Sequence, residues 1–250
     1  METKEEKPEL EEINKEETKD NRLFKGDKLY CEGRERSAIR GWFHLGACLS
    51  FFPMLLINYV YIFATVPNIN MISLVACFVN FLIIYIAHCL SAFYHISDLP
   101  PHLEIIAQKM DIIGANCYVA SSYLPMALLL FPTNVGLSLL AIVGSILGWN
   151  IISIIKSKYS IQQPIFIIIP QLFFFYFIYT YFTSTEFFLN WFGLACLAIG
   201  SSFMIYDYSF VNNSKYFNNF EIYHGFSLIC LSTICMMNYS IFKRTCLPNL

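Results

Sequence analysis

The amino-acid sequence predicts an all-α integral membrane protein built as a bundle of seven transmembrane helices. Three observations predict it. Only 14% of the 250 residues are charged, where soluble chains carry roughly a quarter. Hydrophobic residues make up 56% and aromatic residues 17%. The charges are also segregated: residues 1–40 hold most of the acids and bases, and residues 41–250 hold few. That asymmetry separates a solvated tail from an apolar body.

A spanning helix needs about 20 mainly apolar residues. Seven such stretches occur, at about 42–66, 71–96, 105–131, 135–155, 164–183, 188–209 and 220–241. The breaks are short and polar or proline-containing: Pro67 to Asn70, Ser97 to Glu104, Pro132 to Asn134, Lys156 to Gln163, Ser184 to Glu186, and Phe210 to Asn219. Pro53, Pro125 and Pro170 lie inside spans and predict kinks, because proline removes a helix hydrogen bond and crowds the preceding turn. The expected layout is a cytoplasmic tail over 1–40, a transmembrane domain over 41–242 and a short C-terminal tail over 243–250.

The tail opens on a run of Glu and Lys rather than a basic stretch and an apolar core, so it does not read as a secretory signal. Glu2 to Asp20 offers only Leu10 and Ile13 for burial and is expected to be disordered. Loop charges set the orientation. With the N-terminus in the cytoplasm, Arg34, Arg36, Arg40, Lys156, Lys158 and Lys215 fall inside, and Lys243 and Arg244 fall outside. The C-terminus is then expected across the membrane. The net charge of −2 decides nothing about partners, and the lack of a basic face argues against nucleic acid. Nine cysteines are scattered without a CxxC and mostly inside apolar spans, where Cys acts as a small hydrophobe.

Ionisable groups inside a membrane cost several kcal/mol and point to function. His95 ends the second span, Lys109 and Asp111 begin the third, and His224 begins the seventh. His44 at the start of the first span and Asp207 at the end of the sixth share that depth. Ser91 and His95 are four apart, and Glu221 and His224 three apart, so each pair shares a helix face. Imidazole and carboxylate converging from three helices suit zinc with an open position for water. Spacing alone leaves a second reading open, in which these groups sit at headgroup level and bind nothing. His88, two turns from His95, is expected to make an interhelical hydrogen bond, and Lys109 to snorkel to the interface. His102 is expected in a solvated loop. Asn58, Asn80 and Asn150 read as interhelical hydrogen-bonding residues, and the aromatic run Phe173 to Tyr181 as a lipid-facing or packing surface.

Ser91-Ala92-Phe93-Tyr94-His95 resembles the Ser-x-x-Tyr-His signature of hemolysin III proteins and progestin and adipoQ receptors. Lys109 to Ile113 is similar to their helix-three opening with its Asp, and Ser122-Tyr123-Leu124-Pro125 to their Ser-Tyr-Thr-Pro. Glu221-Ile222-Tyr223-His224 resembles the end of their helix-seven motif. His44-Leu45-Gly46 resembles the stretch that opens helix one, and Leu197 to Gly200 the helix-six glycine region. The resemblance spans about 36–240, and the order and spacing of four motifs make it specific where each alone would be weak.

The resemblance implies a seven-helix bundle with zinc near the cytoplasmic side, held by one His of helix two and two of helix seven, with a Ser and an Asp nearby. The corresponding residues are His95, His224, Ser91 and Asp111, and the second helix-seven His falls on Phe220. That leaves the zinc site incomplete: either a carboxylate from Asp111 or Glu221 completes the metal set with His95 and His224, or the site has decayed and the bundle serves another role. The wider superfamily includes ceramidases, which implies a zinc-dependent lipid amide hydrolase. Asp111 would be its general base, Ser91 would hold the carbonyl or the attacking water, and the substrate would come from the inner leaflet. The adipoQ branch implies instead a non-enzymatic receptor or regulator that uses residues 1–40 for partners. The hemolysin name implies permeabilisation, for which the spans offer no acidic ring or aligned polar stripe.

Overall fold

The computed structural model describes residues 39–65, 71–156, 169–206 and 219–246. No strand occurs among the described residues. We number the helices α1 over 40–65, α2 over Met71–Ile96, α3 over Pro101–Leu130, α4 over Thr133–Lys156, α5 over Ile169–Phe173 and Phe175–Tyr181, α6 over Ser184–Tyr206, and α7 over Asn219–Cys246. All but α5 contain a stretch long and apolar enough to cross a bilayer. The first part of the span expected at 164–183 lies outside the described residues, as do the expectations for the tail over 1–38, Asp207, Lys215 and the side chain of Phe220.

The surface and the interior are distributed as a lipid solvent requires. Large apolar side chains such as Ile57, Val60, Ile72, Phe78, Trp149, Phe173 and Tyr176 are exposed around the bundle. Polar side chains face inward and pair across helices. Asn150 of α4 donates to Asn116 of α3 at 2.9 Å, and Ser121 of α3 donates to Asn80 of α2 at 3.1 Å. Asn190 of α6 donates to Gln171 of α5 at 2.7 Å. Asn58 departs from the expected role: it is exposed on α1 and donates to the Met54 carbonyl of its own helix at 2.8 Å, where no other described helix packs on it.

The expected irregularities at Pro53 and Pro125 take the form of π-helical turns. One, Ala47–Phe51, precedes Pro53, and the other, Met126–Leu130, follows Pro125. Before Pro53 the wider turn contains Leu49, whose carbonyl the ring would otherwise crowd. In α3 the Met126 N–H bonds Tyr123 O, a shift that releases the Ser122 carbonyl. Asn238 of α7 donates to that carbonyl at 3.4 Å, so the break in α3 becomes a contact to α7.

The loop expected over 97–104 is shorter. Pro100 is extended, with ψ 152°, and Pro101 opens α3, the position where a missing N–H costs nothing. His102 therefore lies on the first turn of α3 and is exposed, rather than in a loop. Lys109 donates to the Ile155 carbonyl at 3.0 Å and so caps the C-terminus of α4, where a cation meets the negative end of the helix dipole.

The far end of the bundle is fastened around Glu186, which is fully buried. Thr183 and Glu186 form a capping box at the start of α6: the Thr183 N–H donates to Oε2 at 2.9 Å, and the Glu186 N–H to Thr183 Oγ1 at 3.2 Å. Arg244 donates to Glu186 Oε2 at 2.8 Å and to the Tyr181 carbonyl at 3.1 Å. Ser240 adds a bond to Oε1 at 3.1 Å. Lys243 and Arg244, placed by the sequence in a tail, are thus on the last turns of α7.

Helix α7 packs along α6 and also touches α1, α2 and α3. Its contact with α6 depends on Gly200, where an added Cβ would lie 2.7 Å from the Phe226 Cβ. The α2–α3 contact is similarly close at Gly114, whose Cβ would sit 3.3 Å from the Ala87 backbone.

Candidate metal centre

Three imidazoles meet where α1 begins, α2 ends and α7 begins. His44 comes from the second turn of α1, His95 from the last turn of α2, and His224 from the second turn of α7. One ring nitrogen of each lies within 4.8 Å of the others. His44 Nε2 and His224 Nδ1 are 3.0 Å apart, one donating and one accepting according to tautomer. The ring centroids of His44 and His95 are 6.0 Å apart and those of His95 and His224 5.1 Å. His44 and His95 are buried and His224 is partly buried.

Local packing explains the convergence. Gly41, one turn before His44, abuts the C-terminal end of α2. An added Cβ there would run into the Ile96 side chain and come within 3.2 Å of the His95 Cβ. The absence of a side chain at that position lets α1 lean onto α2 and carries His44 to His95. Gly200 brings α6 against Tyr223, beside His224 on α7. Tyr94 packs on His95 with centroids 4.7 Å apart, and Tyr223 on His224 at 5.3 Å. These rings wall the site and limit how far the imidazoles can turn.

The residues expected at the site occupy different places. Asp111 Oδ2 is 3.6 Å from His95 Nε2, so its carboxylate lies against the imidazole. Ser91 is buried on α2, one turn before His95. Glu221 is fully buried on the first turn of α7, outside the group of three nitrogens. The third nitrogen of that group comes from His44, where the sequence reading looked to Asp111 or Glu221. A signal for His44 was present in its shared depth and in the motif opening the first span. The gap at Phe220 drew attention to the carboxylates of Asp111 and Glu221 instead of to a third imidazole.

His88 stays outside the group, but its hydrogen bond is not the expected interhelical one. Its Nδ1 pairs with the Ile84 carbonyl of its own helix at 3.0 Å. Phe52, Tyr118 and His44 pack around the ring, with centroids at 5.2, 5.8 and 5.2 Å.

The donor set fits zinc. Two Zn–N bonds of about 2.05 Å at a tetrahedral angle place their nitrogens about 3.4 Å apart. The observed separations of 3.0 Å to at most 4.8 Å bracket that value. Three imidazoles from three helices would supply three nitrogen ligands to such an ion.

A family model described as haemolysin-III related matches residues 33–237. No curated protein and no solved structure matches the chain.

Proposed function

The chain belongs to the haemolysin-III related family of membrane proteins, and from its site we propose that it is a zinc-dependent hydrolase of lipid amides. The observation that carries this reading is the three-imidazole cluster with the Asp111 carboxylate beside it. His44, His95 and His224 would hold the ion. When bound, zinc supplies Lewis acidity toward a carbonyl oxygen and toward water.

The other roles belong to the chain itself. Asp111, against His95, is the general base: it takes a proton from water and returns it to the leaving amine. Ser91, on the His95 face of α2, offers a hydroxyl to orient the substrate carbonyl. Tyr94 and Tyr223 pack the histidine rings and keep bulk water from the reacting groups. Two apolar chains of a lipid would remain among the exposed hydrophobic side chains of the bundle while its amide reaches the helix ends.

We assign the fold seven crossings, with α5 as the fifth. In that arrangement the N-terminus and the metal centre face the cytoplasm and the C-terminus lies across the membrane; Lys156 at the end of α4 supports this, and Lys243 and Arg244 at the end of α7 are the basic residues left on the outer side. Membrane lipids are the partners this reading requires. The test is release of free fatty acid from an N-acyl sphingoid lipid in mixed micelles by the zinc-loaded protein. Release abolished by chelation and by Asp111→Asn supports the reading. A fully zinc-loaded protein that releases no fatty acid from such a lipid contradicts it.

A further inference from the structure

Cys48 follows His44 by four residues on α1, and Cys89 follows His88 on α2. Their Sγ atoms are 3.7 Å apart, at van der Waals contact. Both thiols line a groove of about 300 Å³ between α1 and α2, together with Leu45, Tyr85, Ala92 and Phe93. Cys89 is exposed in that groove and Cys48 is buried behind it. The lining is mainly apolar, and the groove lies on the face of two helices that are long and apolar enough to span a bilayer.

A disulfide needs its sulfurs about 2.05 Å apart. This pair already touches, so no other helix has to move in to supply a partner. The surroundings favour an oxidant that dissolves in lipid over one carried in water. We propose that Cys48 and Cys89 are an oxidisable dithiol that closes a disulfide between α1 and α2 at the expense of a lipid-dissolved organic hydroperoxide.

The exposed Cys89 attacks first. Its thiolate bonds to the terminal peroxide oxygen, the O–O bond breaks, and the alcohol leaves with a proton. Cys89 is then a sulfenic acid. The Cys48 sulfur attacks the Cys89 sulfur, the S–O bond breaks, and water leaves. Two thiols have lost two electrons and two protons, and one peroxide has become one alcohol and one water. The product ties the helix that carries His44 to the helix that carries His95. The proposal does not depend on zinc being bound.

The full chain in phosphatidylcholine vesicles is exposed to cumene hydroperoxide, quenched with N-ethylmaleimide in SDS, digested and analysed by mass spectrometry. The expected result is a peptide pair joined through Cys48 and Cys89 that dithiothreitol separates. Cys48→Ser and Cys89→Ser each abolish it, and Cys77→Ser, as control, retains it. Cumene hydroperoxide forms the link several-fold faster than hydrogen peroxide at equal concentration. Recovery of both residues as maleimide adducts after peroxide, or linkage of either to a different cysteine, overturns the proposal. Equal rates with the two peroxides overturn the lipid-borne oxidant.

Discussion

Replacing His44 by Phe removes one nitrogen from the cluster while nearly keeping the ring's volume. His44 is 7% exposed, with its centroid 5.0 Å from His224 and 6.0 Å from His95. The site is therefore packed tightly enough that an Ala would leave a cavity, and a phenyl would not. Structural zinc sites bind with about 10–16 kcal/mol over four ligands, roughly 2.5–4 kcal/mol each. Losing His44 should then weaken zinc by about two to three orders of magnitude. The variant also loses the 3.0 Å contact to His224, worth about 1 kcal/mol, which is small beside the metal term. Competition against chelators of graded affinity measures the change. A thermal melt gives a second reading, since ligand at a hundred times Kd stabilises by about 2.7 kcal/mol and the variant should lose that increment. His88→Phe is the control, because His88 lies outside the group and should leave zinc affinity within a few-fold. Zinc affinity unchanged in His44→Phe would refute the assignment of His44 as a ligand.

Other substitutions probe the rest of the account. Asp111→Asn should retain zinc but lower amide hydrolysis by about two to four orders of magnitude, read as kcat with metal content held equal. Arg244→Met leaves the buried Glu186 without its cation and should lower stability by about 2 kcal/mol, less than for a fully buried pair because the arginine side chain is 41% exposed. A chemical melt in detergent should show it, with Glu186→Gln milder. Gly200→Leu places a side chain where a Cβ alone meets Phe226 at 2.7 Å, so it should cost about 1–3 kcal/mol and loosen α6 from α7. In a double-mutant cycle, Asn116→Leu and Asn150→Leu should couple by about 0.6 kcal/mol, and additive effects would show that their 2.9 Å bond contributes nothing.

Helix placement could be read from the sequence because a bilayer demands long apolar runs, and the polar breaks between them are short. Residues 71–96 coincide with α2, and 135–155 lies within α4. Boundaries moved where local chemistry competed with hydropathy. Pro101 starts α3 earlier than its apolar run, and the bonds of Arg244 to Glu186 and the Tyr181 carbonyl hold α7 past its apolar run. At the site, His95, Asp111 and His224 stood out because ionisable residues are rare in these spans. His44 stood out by its depth too, but its approach to His95 was not legible because it depends on how closely α1 approaches α2. That approach rests on the missing side chain of Gly41, a packing fact that periodicity does not carry. The contact between Cys48 and Cys89 was hidden for the same reason, since no CxxC spacing announces a pair on separate helices.

The most direct test of the zinc centre is X-ray absorption at the zinc edge on the purified full chain, paired with elemental analysis. The account predicts about one zinc per chain with nitrogen or oxygen neighbours at about 2.0–2.1 Å and the scattering pattern of imidazole rings. Protein that retains no zinc after purification in its presence, or zinc with sulfur neighbours at about 2.3 Å, would contradict it.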